Sequence, residues 1–227
     1  MQVKKGDWIE VDYVGRLKAS GKIFDLTKAD VAKAEDIFDK KHSYRPLVVA
    51  LGADHLLKGL DAFLDGKEVG REYQADIQPQ DAFGVRNPKL IQLTSLRHFK
   101  EKKVNPVPGL QLVIDSALAT IRSVSGGRVI LDFNHPLAGR MLSYWIKINK
   151  LVKGTDEKIQ ALASLLLNLK PDQYKLSLKE GAAVLELKKE MPKLLIERLK
   201  AQAKELIPEL KSIKISVAKI VKKPAKK

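Results

Sequence analysis

Apolar and polar residues alternate along the first strongly patterned segment of the chain. Ile9, Val11 and Tyr13 are apolar, whereas Glu10 and Asp12 between them are charged. This period of two is typical of a β-strand with one buried face. Comparable short strands are predicted in further segments up to residue 152, so we expect a sheet in this part of the chain.

Two helical patterns interrupt these strands. The first extends to Phe38 and is predicted to begin at a capping Thr27; the second ends at Gly66 and is predicted to begin at a capping Asp54. Threonine and aspartate oxygens accept hydrogen bonds from the first turn of a helix, which favours both starting points. The pattern is therefore that of an α+β protein with short helices among its strands.

The middle of the chain is richer in strand patterns. Two long alternating strands are predicted at residues 110–124 and 128–133, joined by a hairpin turn at the Ser-Gly-Gly sequence between them. The sequence DFNHPLAG at residues 132–139 follows. We expect a β-rich insert in this region.

The last third has a different order of patterns. Lys153-Gly154 is the predicted linker, and the order α-β-β-α-β follows it. Pro171 ends the first of these helices and Pro192 begins the second. We expect a small C-terminal α/β domain here. The predicted organisation is residues 1–85 with 140–154, an insert at 86–139, a C-terminal domain at 155–221 and a disordered basic tail at 222–227.

Charge distinguishes these segments. The chain has 227 residues, of which 42 are basic and 27 acidic, and its net charge is +15. Residues 86–139 hold eight basic and three acidic residues, a net charge of +5; residues 155–227 hold 17 and nine, a net charge of +8. The remainder is nearly neutral. A basic excess favours acidic partners, and here it lies outside the first segment.

Several kinds of chemistry are excluded or disfavoured by the residues present. The absence of cysteine excludes disulfides, thiolate metal sites and cysteine nucleophiles, and it is consistent with a reducing cytoplasm. The four histidines lack metal-ligand spacing, and there is no glycine-rich phosphate loop or nucleophile elbow. No apolar run approaches the roughly 20 residues of a membrane span. We expect no metal, no cofactor, no membrane partner and a cytoplasmic location.

A set of motifs occurs in the order in which one enzyme family carries them. They are VDYVGRL, GKIFDLT, PLVVALG, HLLKGLDAFLDGKEVGRE, DAFG and LSYWIKI. With these motifs the chain resembles the FKBP-type peptidyl-prolyl cis-trans isomerases. The block between DAFG and the end of DFNHPLAG is similar to the insert-in-flap domain of SlyD-like isomerases, and the last third resembles the extra domain of long archaeal members. The metal-binding tail of SlyD has no counterpart here, so metal handling is not implied.

The resemblance implies an antiparallel sheet wrapped on a short helix, with an apolar pocket for the prolyl bond. The implied catalytic residues are Tyr13, Asp25, Phe83 and Tyr144, and the implied substrate-binding residues are Phe24, Leu47, Leu56, Leu57 and Leu60. Leu60 is expected beneath the proline ring, and the Leu57 N–H is expected to donate to a substrate carbonyl. Asp25 either polarises the twisting amide or holds Tyr13 in place. Without the resemblance, the apolar members of this set are typical of a protein core.

The insert holds more apolar residues than a domain of about 50 residues buries easily. We interpret the excess as a chaperone surface. Its expected members are Leu93, Leu96, Phe99, Val107 and Leu110. The alternative is that these side chains pack inside the insert.

The predicted function is a prolyl isomerase that also binds unfolded or nascent polypeptides with X-Pro bonds as a folding chaperone. Two further hypotheses concern the basic C-terminal domain. One is contact with RNA or the ribosome, although a KH-type GxxG loop and an RRM aromatic pair are absent from this segment. The other is a homodimer formed through its leucine- and isoleucine-rich helix faces.

Overall fold

The computed structural model describes residues 1–217, and the chain divides into two compact units. The first unit comprises Met1–Arg16, Ile23–Ala75 and residues 144–217 of the described chain, and the second comprises Leu17–Lys22 and Asp76–Ser143. The mixture of strands and helices confirms the predicted α+β class.

Part of the predicted organisation falls outside this range. The predicted tail, residues 222–227, and the last four residues of the predicted C-terminal domain lie outside the described residues. The segment boundaries themselves stay predictions.

The described chain contains twelve strands and five α-helices. In chain order they are β1 (Trp8–Leu17), β2 (Ile23–Leu26), α1 (Ala29–Ala34), β3 (Leu47–Ala50), α2 (Lys58–Leu64), β4 (Glu72–Ile77), β5 (Ile91–Ser95), α3 (Leu96–Glu101), β6 (Gln111–Ile114), β7 (Ala117–Ser125), β8 (Arg128–Asp132), β9 (Leu142–Leu151), α4 (Thr155–Leu167), β10 (Tyr174–Lys179), β11 (Ala182–Leu187), α5 (Lys193–Leu206) and β12 (Ser212–Val217).

A five-stranded sheet forms the centre of the first unit. Its strands lie in the order β2-β1-β9-β4, and β3 pairs antiparallel with the beginning of β1. The alternating residues Ile9 and Val11 are fully buried, as the sequence pattern predicts. They pack with Ile146 and Ile148 of β9 and with Leu64 of α2, so the short helix covers one face of the sheet.

The C-terminal segment of the first unit shares a core with this sheet. Helices α4 and α5 pack on the sheet β10-β11-β12, where β11 and β12 are parallel. The same buried cluster includes Trp8 of β1 and Ala50 of β3. The Trp8 Nε1–H also donates to the Leu206 carbonyl at 3.1 Å. The predicted α-β-β-α-β elements are therefore present, but they pack on the five-stranded sheet instead of forming a separate compact unit.

The first two predicted helices are shorter than expected. Helix α1 begins at Ala29 because the Thr27 hydroxyl serves β1 instead of capping a helix: it accepts from the Tyr13 N–H and donates to Asp12 Oδ1. Helix α2 begins at Lys58, since Asp54 has a φ of +55° and lies in a turn. The chain before α2 is thus an irregular connection.

The second unit contains a four-stranded antiparallel sheet in the order β5-β8-β7-β6. The hairpin turn predicted between β7 and β8 is confirmed by positive φ angles at Gly126 and Gly127. The single long strand predicted at residues 110–124 is wrong. It is two strands, β6 and β7, because Asp115 and Ser116 both have positive φ angles and reverse the chain.

This turn yields a stability test. Replacing Ser116 by glycine should raise the free energy of unfolding of the second unit by about 0.5–1 kcal/mol, because a β-carbon is disfavoured at its φ of +66°. Chemical denaturation measures the change. Ser123→Gly, within β7, is the control and should lower stability. If Ser116→Gly is also destabilising, the turn conformation assigned here is wrong.

Candidate active site

Three aromatic rings meet on the central sheet. Tyr13 lies on β1, Phe24 on β2 and Tyr144 on β9. The centroid of the Tyr144 ring lies 6.0 Å from that of Tyr13 and 5.8 Å from that of Phe24, the latter pair edge to face. The structure thus brings together three residues that the family resemblance assigns to one pocket.

Gly15 permits this close approach. A Cβ atom at this position would lie 2.8 Å from Phe24 Cζ and 3.0 Å from Tyr144 Cε1. Its place in the site is not evident from the residue type, since only the folded chain shows which rings surround it. Any side chain here would displace the aromatic rings.

A hydrogen bond links Asp25 to the aromatic surface. The Tyr13 O–H donates to Asp25 Oδ2 at 2.8 Å. The antiparallel register of β1 and β2, with Gly15 opposite Asp25, keeps the two side chains within reach. The carboxylate is therefore anchored next to the rings.

Burial raises the pKa of both tyrosines. It raises the pKa of Tyr13 above its ordinary value, and the negative charge of Asp25 raises it further. Burial likewise raises the pKa of Tyr144, and Asp25 adds to the shift. Both phenols remain protonated at neutral pH, so Tyr13 is a donor to Asp25.

Four leucines assigned to the pocket lie on β3 and at the beginning of α2. Leu47 and Leu56 are half-buried and pack with Tyr13 against the core of the sheet. Leu60, in the first turn of α2, is buried. Leu57 precedes the helix in an extended conformation, and its carbonyl accepts the first hydrogen bond of the turn from Leu60 N–H at 2.8 Å.

Phe83 belongs to the second unit. Its ring stacks on that of His135, with centroids 4.3 Å apart and planes 5° from parallel. His135 lies in the DFNHPLAG sequence, and its Nδ1 accepts from the Leu137 N–H. The structure therefore supports Phe83 with a stacked imidazole that the sequence analysis does not anticipate.

The DFNHPLAG sequence also ties the two ends of the insert together. Asn134 Oδ1 accepts from the Asn87 N–H at 2.8 Å, and Asn134 Nδ2 donates to the Asn87 carbonyl at 3.0 Å. Asn134 Nδ2 also donates to Asp132, whose buried carboxylate forms a salt bridge with Arg86. Asn134 and Asp132 therefore link the end of the insert to its beginning.

Comparisons with known proteins identify the family. A family model described as FKBP-type peptidyl-prolyl cis-trans isomerase matches residues 1–100. The short-type peptidyl-prolyl cis-trans isomerase of Methanocaldococcus jannaschii is 33% identical over 155 residues, which cover 68% of this chain and 98% of that relative. The chain belongs to the FKBP-type family of peptidyl-prolyl cis-trans isomerases. It is therefore an isomerase of the bond preceding proline.

Other matches concern the insert and bacterial relatives. A family model described as FKBP26, IF domain matches residues 92–137, inside the predicted insert. The FKBP-type 16 kDa isomerase of Escherichia coli is 32% identical over 129 residues, which cover 55% of this chain and 85% of the relative. The isomerase SlyD of Haemophilus influenzae is 27% identical over 127 residues, which cover 54% and 66%. The predicted SlyD-like, insert-in-flap character is confirmed.

The insert-in-flap sheet has one buried and one exposed face. Phe99, Ile121 and Leu131 form the core. Cross-strand partners share a face and neighbours in a strand alternate, so Leu93, paired with Ile130, lies on the opposite face. Among the described residues of this unit, the large apolar side chains that are exposed are Val85, Leu90, Ile91, Leu93, Val104, Val107, Val113, Leu118 and Met141.

This arrangement corrects one member of the predicted chaperone surface. Phe99 is only 6% exposed and belongs to the core of the insert, because α3 turns its ring onto the sheet. Leu96 and Leu110 are half-buried and pack against the same core. Leu93 and Val107 are exposed, at 60% and 48%.

No helix in residues 1–217 is long and apolar enough to cross a membrane.

The Tyr13–Asp25 hydrogen bond can be tested by a double-mutant cycle. If Asp25 acts by holding Tyr13, then Asp25→Ala and Tyr13→Phe should each lower kcat/KM for an X-Pro tetrapeptide about tenfold, the loss expected for one hydrogen bond to a charged group. The double variant should be no worse than the poorer single variant.

The matched control is Tyr73→Phe, which removes a tyrosine hydroxyl that hydrogen-bonds to the Glu68 backbone away from the aromatic rings. It should leave kcat/KM unchanged. If the loss of kcat/KM in the double variant equals the product of the two single losses, Asp25 acts on the amide directly.

Proposed function

We propose that this isomerase also binds unfolded polypeptides and acts as a folding chaperone. Exposed apolar side chains on one face of the insert-in-flap sheet carry this proposal, because a monomeric soluble protein rarely leaves such a surface without a binding role. Val113, 69% exposed, pairs with Leu118 on β7, and Leu93 extends the apolar surface on β5. We name these three residues, together with the exposed Val107 in the loop before β6, the client surface.

The isomerase site is proposed to act by favouring a twisted amide. Rotation about a prolyl bond breaks amide resonance, with an uncatalysed barrier of roughly 18–20 kcal/mol. The twisted amide has less charge separation than the planar one, so an apolar pocket stabilises it preferentially. Tyr13, Phe24 and Tyr144 supply such walls, and no covalent intermediate is required.

Polar contacts are proposed to orient the substrate. The Leu57 N–H is proposed to donate to a substrate carbonyl, with Leu60 beneath the proline ring and Leu47 and Leu56 as side walls. Among the described residues, the Leu57 N–H has no hydrogen-bond acceptor, which leaves it available. Asp25 presents its hydrogen-bonded carboxylate beside the aromatic walls. Phe83 retains the catalytic role that the resemblance implies.

The client surface is proposed to serve protein substrates and not short peptides. Unfolded chains expose apolar segments that match Leu93 and its neighbours, and residues 86–139 carry a net charge of +5 that attracts acidic clients. X-Pro bonds in a captured chain would then meet the pocket at high effective concentration. The absence of cysteine suits a reducing compartment such as the cytoplasm.

A charge placed on the client surface separates the two activities. Leu93→Asp should reduce the suppression of aggregation of an unfolded protein, and the kcat/KM for a proline-limited refolding protein, about tenfold, since it places a charge where an apolar segment must bind. Activity on a tetrapeptide should not change. The control is Leu194→Asp on α5, which alters a leucine that is 79% exposed in the other unit. Equal losses on peptide and protein would contradict the proposed client surface.

A second candidate function rests on the outer face of the C-terminal sheet. Lys175, Lys179 and Lys214 alternate there with Ser177 and Ser212, and these five side chains are exposed. Helices α4 and α5 pack on the other face. An open, lysine-rich sheet face is suited to RNA phosphates, including those of the ribosome.

Salt dependence tests this candidate. Lys214→Glu should weaken binding to a single-stranded RNA and lower the slope of log affinity against log salt by about one. Lys204→Glu, an exposed change on α5, is the control and should have little effect. Identical slopes for the two variants would exclude this face as an RNA site.

The homodimer hypothesis concerns the same segment. The leucine- and isoleucine-rich helix faces predicted to form it are buried in the core of the first unit, where Leu162 and Leu199 are fully buried. Leu178 and Val217 are exposed apolar residues of this segment, and we propose them instead as the contact between two copies. Light scattering at increasing concentration distinguishes a dimer from a monomer.

A further inference from the structure

His55 lies in the irregular connection that joins β3 to α2. It is half-buried, and its Nδ1 accepts a hydrogen bond from the Ala50 N–H at 3.1 Å. Because Nδ1 is an acceptor, the neutral imidazole carries its hydrogen on Nε2. That nitrogen lies 3.4 Å from Gln202 Oε1 on α5. The backbone at the end of β3 and a helix of the C-terminal segment therefore hold opposite sides of one ring.

The helix that supplies Gln202 is firmly packed on the isomerase sheet. Leu199 and Ala203 of α5 are fully buried in the cluster that includes Trp8 and Ala50. The Trp8 ring hydrogen-bonds to the Leu206 carbonyl and also contacts His55 edge to face, with centroids 5.8 Å apart. The ring of His55 is thus restrained on three sides by groups of a single compact unit.

His55 immediately precedes two residues of the pocket. Leu56 packs against the same core cluster as Tyr13, and Leu57 immediately precedes α2. A change in the backbone dihedral angles of His55 would move the peptide planes that follow it, including the one that carries the Leu57 N–H. The contacts of the His55 ring oppose such a change. A displacement of a few tenths of an ångström is enough to weaken a hydrogen bond to a substrate.

We infer that His55 is a positioning residue of the isomerase pocket and that Gln202 of the C-terminal segment holds it in its working orientation. This inference rests on the proposed role of Leu57. It gives the C-terminal segment a part in catalysis, because α5 aligns the connection that presents the substrate-binding N–H. The contact of His55 with Gln202 joins positions 147 residues apart in the chain.

The surroundings of His55 keep its ring neutral. Burial lowers its pKa below the ordinary value of 6.5, and the positive charge of Arg198 on α5 lowers it further. The hydrogen bond with Gln202 and the negative charge of Asp54 oppose this shift. Protonation would add an N–H at Nδ1 that faces the Ala50 N–H, so acid should release the ring from β3.

The test compares three variants in an assay with a short X-Pro tetrapeptide. Gln202→Leu removes the acceptor for His55 Nε2–H and should lower kcat/KM about three- to tenfold at pH 7.5, as expected for the loss of a neutral hydrogen bond. Gln202→Glu keeps an acceptor and should retain wild-type activity at that pH. Gln160→Leu makes the same change at an exposed position on α4 and should have no effect.

The midpoint of the pH profile of activity distinguishes the two roles, because a purely structural role of Gln202 would leave that midpoint unchanged. Wild-type activity should fall on acidification with a midpoint below pH 6.5. Gln202→Glu should move that midpoint to higher pH, because a carboxylate beside His55 favours its protonated form. Gln202→Leu activity equal to that of Gln160→Leu, or a midpoint that stays unchanged in Gln202→Glu, would overturn the inference.

Amide chemical shifts separate this inference from the proposed role of Leu57. If the peptide perturbs the Leu57 amide in the wild type, and the perturbation is smaller in Gln202→Leu, both ideas are supported. In the other outcome, the Leu57 amide shift stays unchanged when the peptide binds, while Gln202→Leu still loses activity and Gln202→Glu still shifts the midpoint. In that case His55 positions the pocket and the donor proposed at Leu57 is wrong.

Discussion

The hydrogen bond from Tyr13 to Asp25 is the contact on which the pocket depends. It links neighbouring strands, β1 and β2, at the point where the rings of Phe24 and Tyr144 also meet. A carboxylate among aromatic rings is costly unless it is hydrogen-bonded, and the Tyr13 O–H supplies that hydrogen bond. The site can therefore be apolar and still contain one fixed charge.

The same sheet connects the pocket to the C-terminal segment. Trp8 and Ala50 belong at once to strands of the isomerase sheet and to the core that contains α4 and α5. The C-terminal segment is thus packed where it can influence Leu47 on β3 and the connection before α2. In the second unit, the contacts of Asn134 and Asp132 close the insert, and one face of its sheet remains exposed.

Strand patterns and ordered motifs predict much of this architecture from the sequence. The alternation at Ile9 and Val11, the glycine hairpin after β7 and the α-β-β-α-β order depend on local residue preferences, which are readable without tertiary contacts. The reversal at Asp115 and Ser116 is missed because neither residue is glycine, although both adopt positive φ. Phe99 is misplaced because composition counts apolar residues without showing which face of α3 they occupy.

The aromatic members of the pocket are predictable because family motifs carry them, whereas their supports are not. Each support contacts a group that is distant in sequence. Gly15 lies against the rings of Phe24 and Tyr144, Thr27 accepts from the backbone N–H of Tyr13, and His55 contacts Gln202 of α5. No local pattern reveals such partners. Gly15 nevertheless determines how closely the rings approach, and in our inference His55 determines where the Leu57 N–H points.

We propose that one chain combines a prolyl isomerase with a surface that binds unfolded polypeptides. The most direct test is the refolding of an unfolded protein whose slow phase is limited by isomerisation before proline. We expect catalytic amounts of the wild-type chain to accelerate that phase strongly, and equal amounts of Asp25→Ala to accelerate it far less. A slow phase with the same rate with and without the wild-type chain would contradict the central claim.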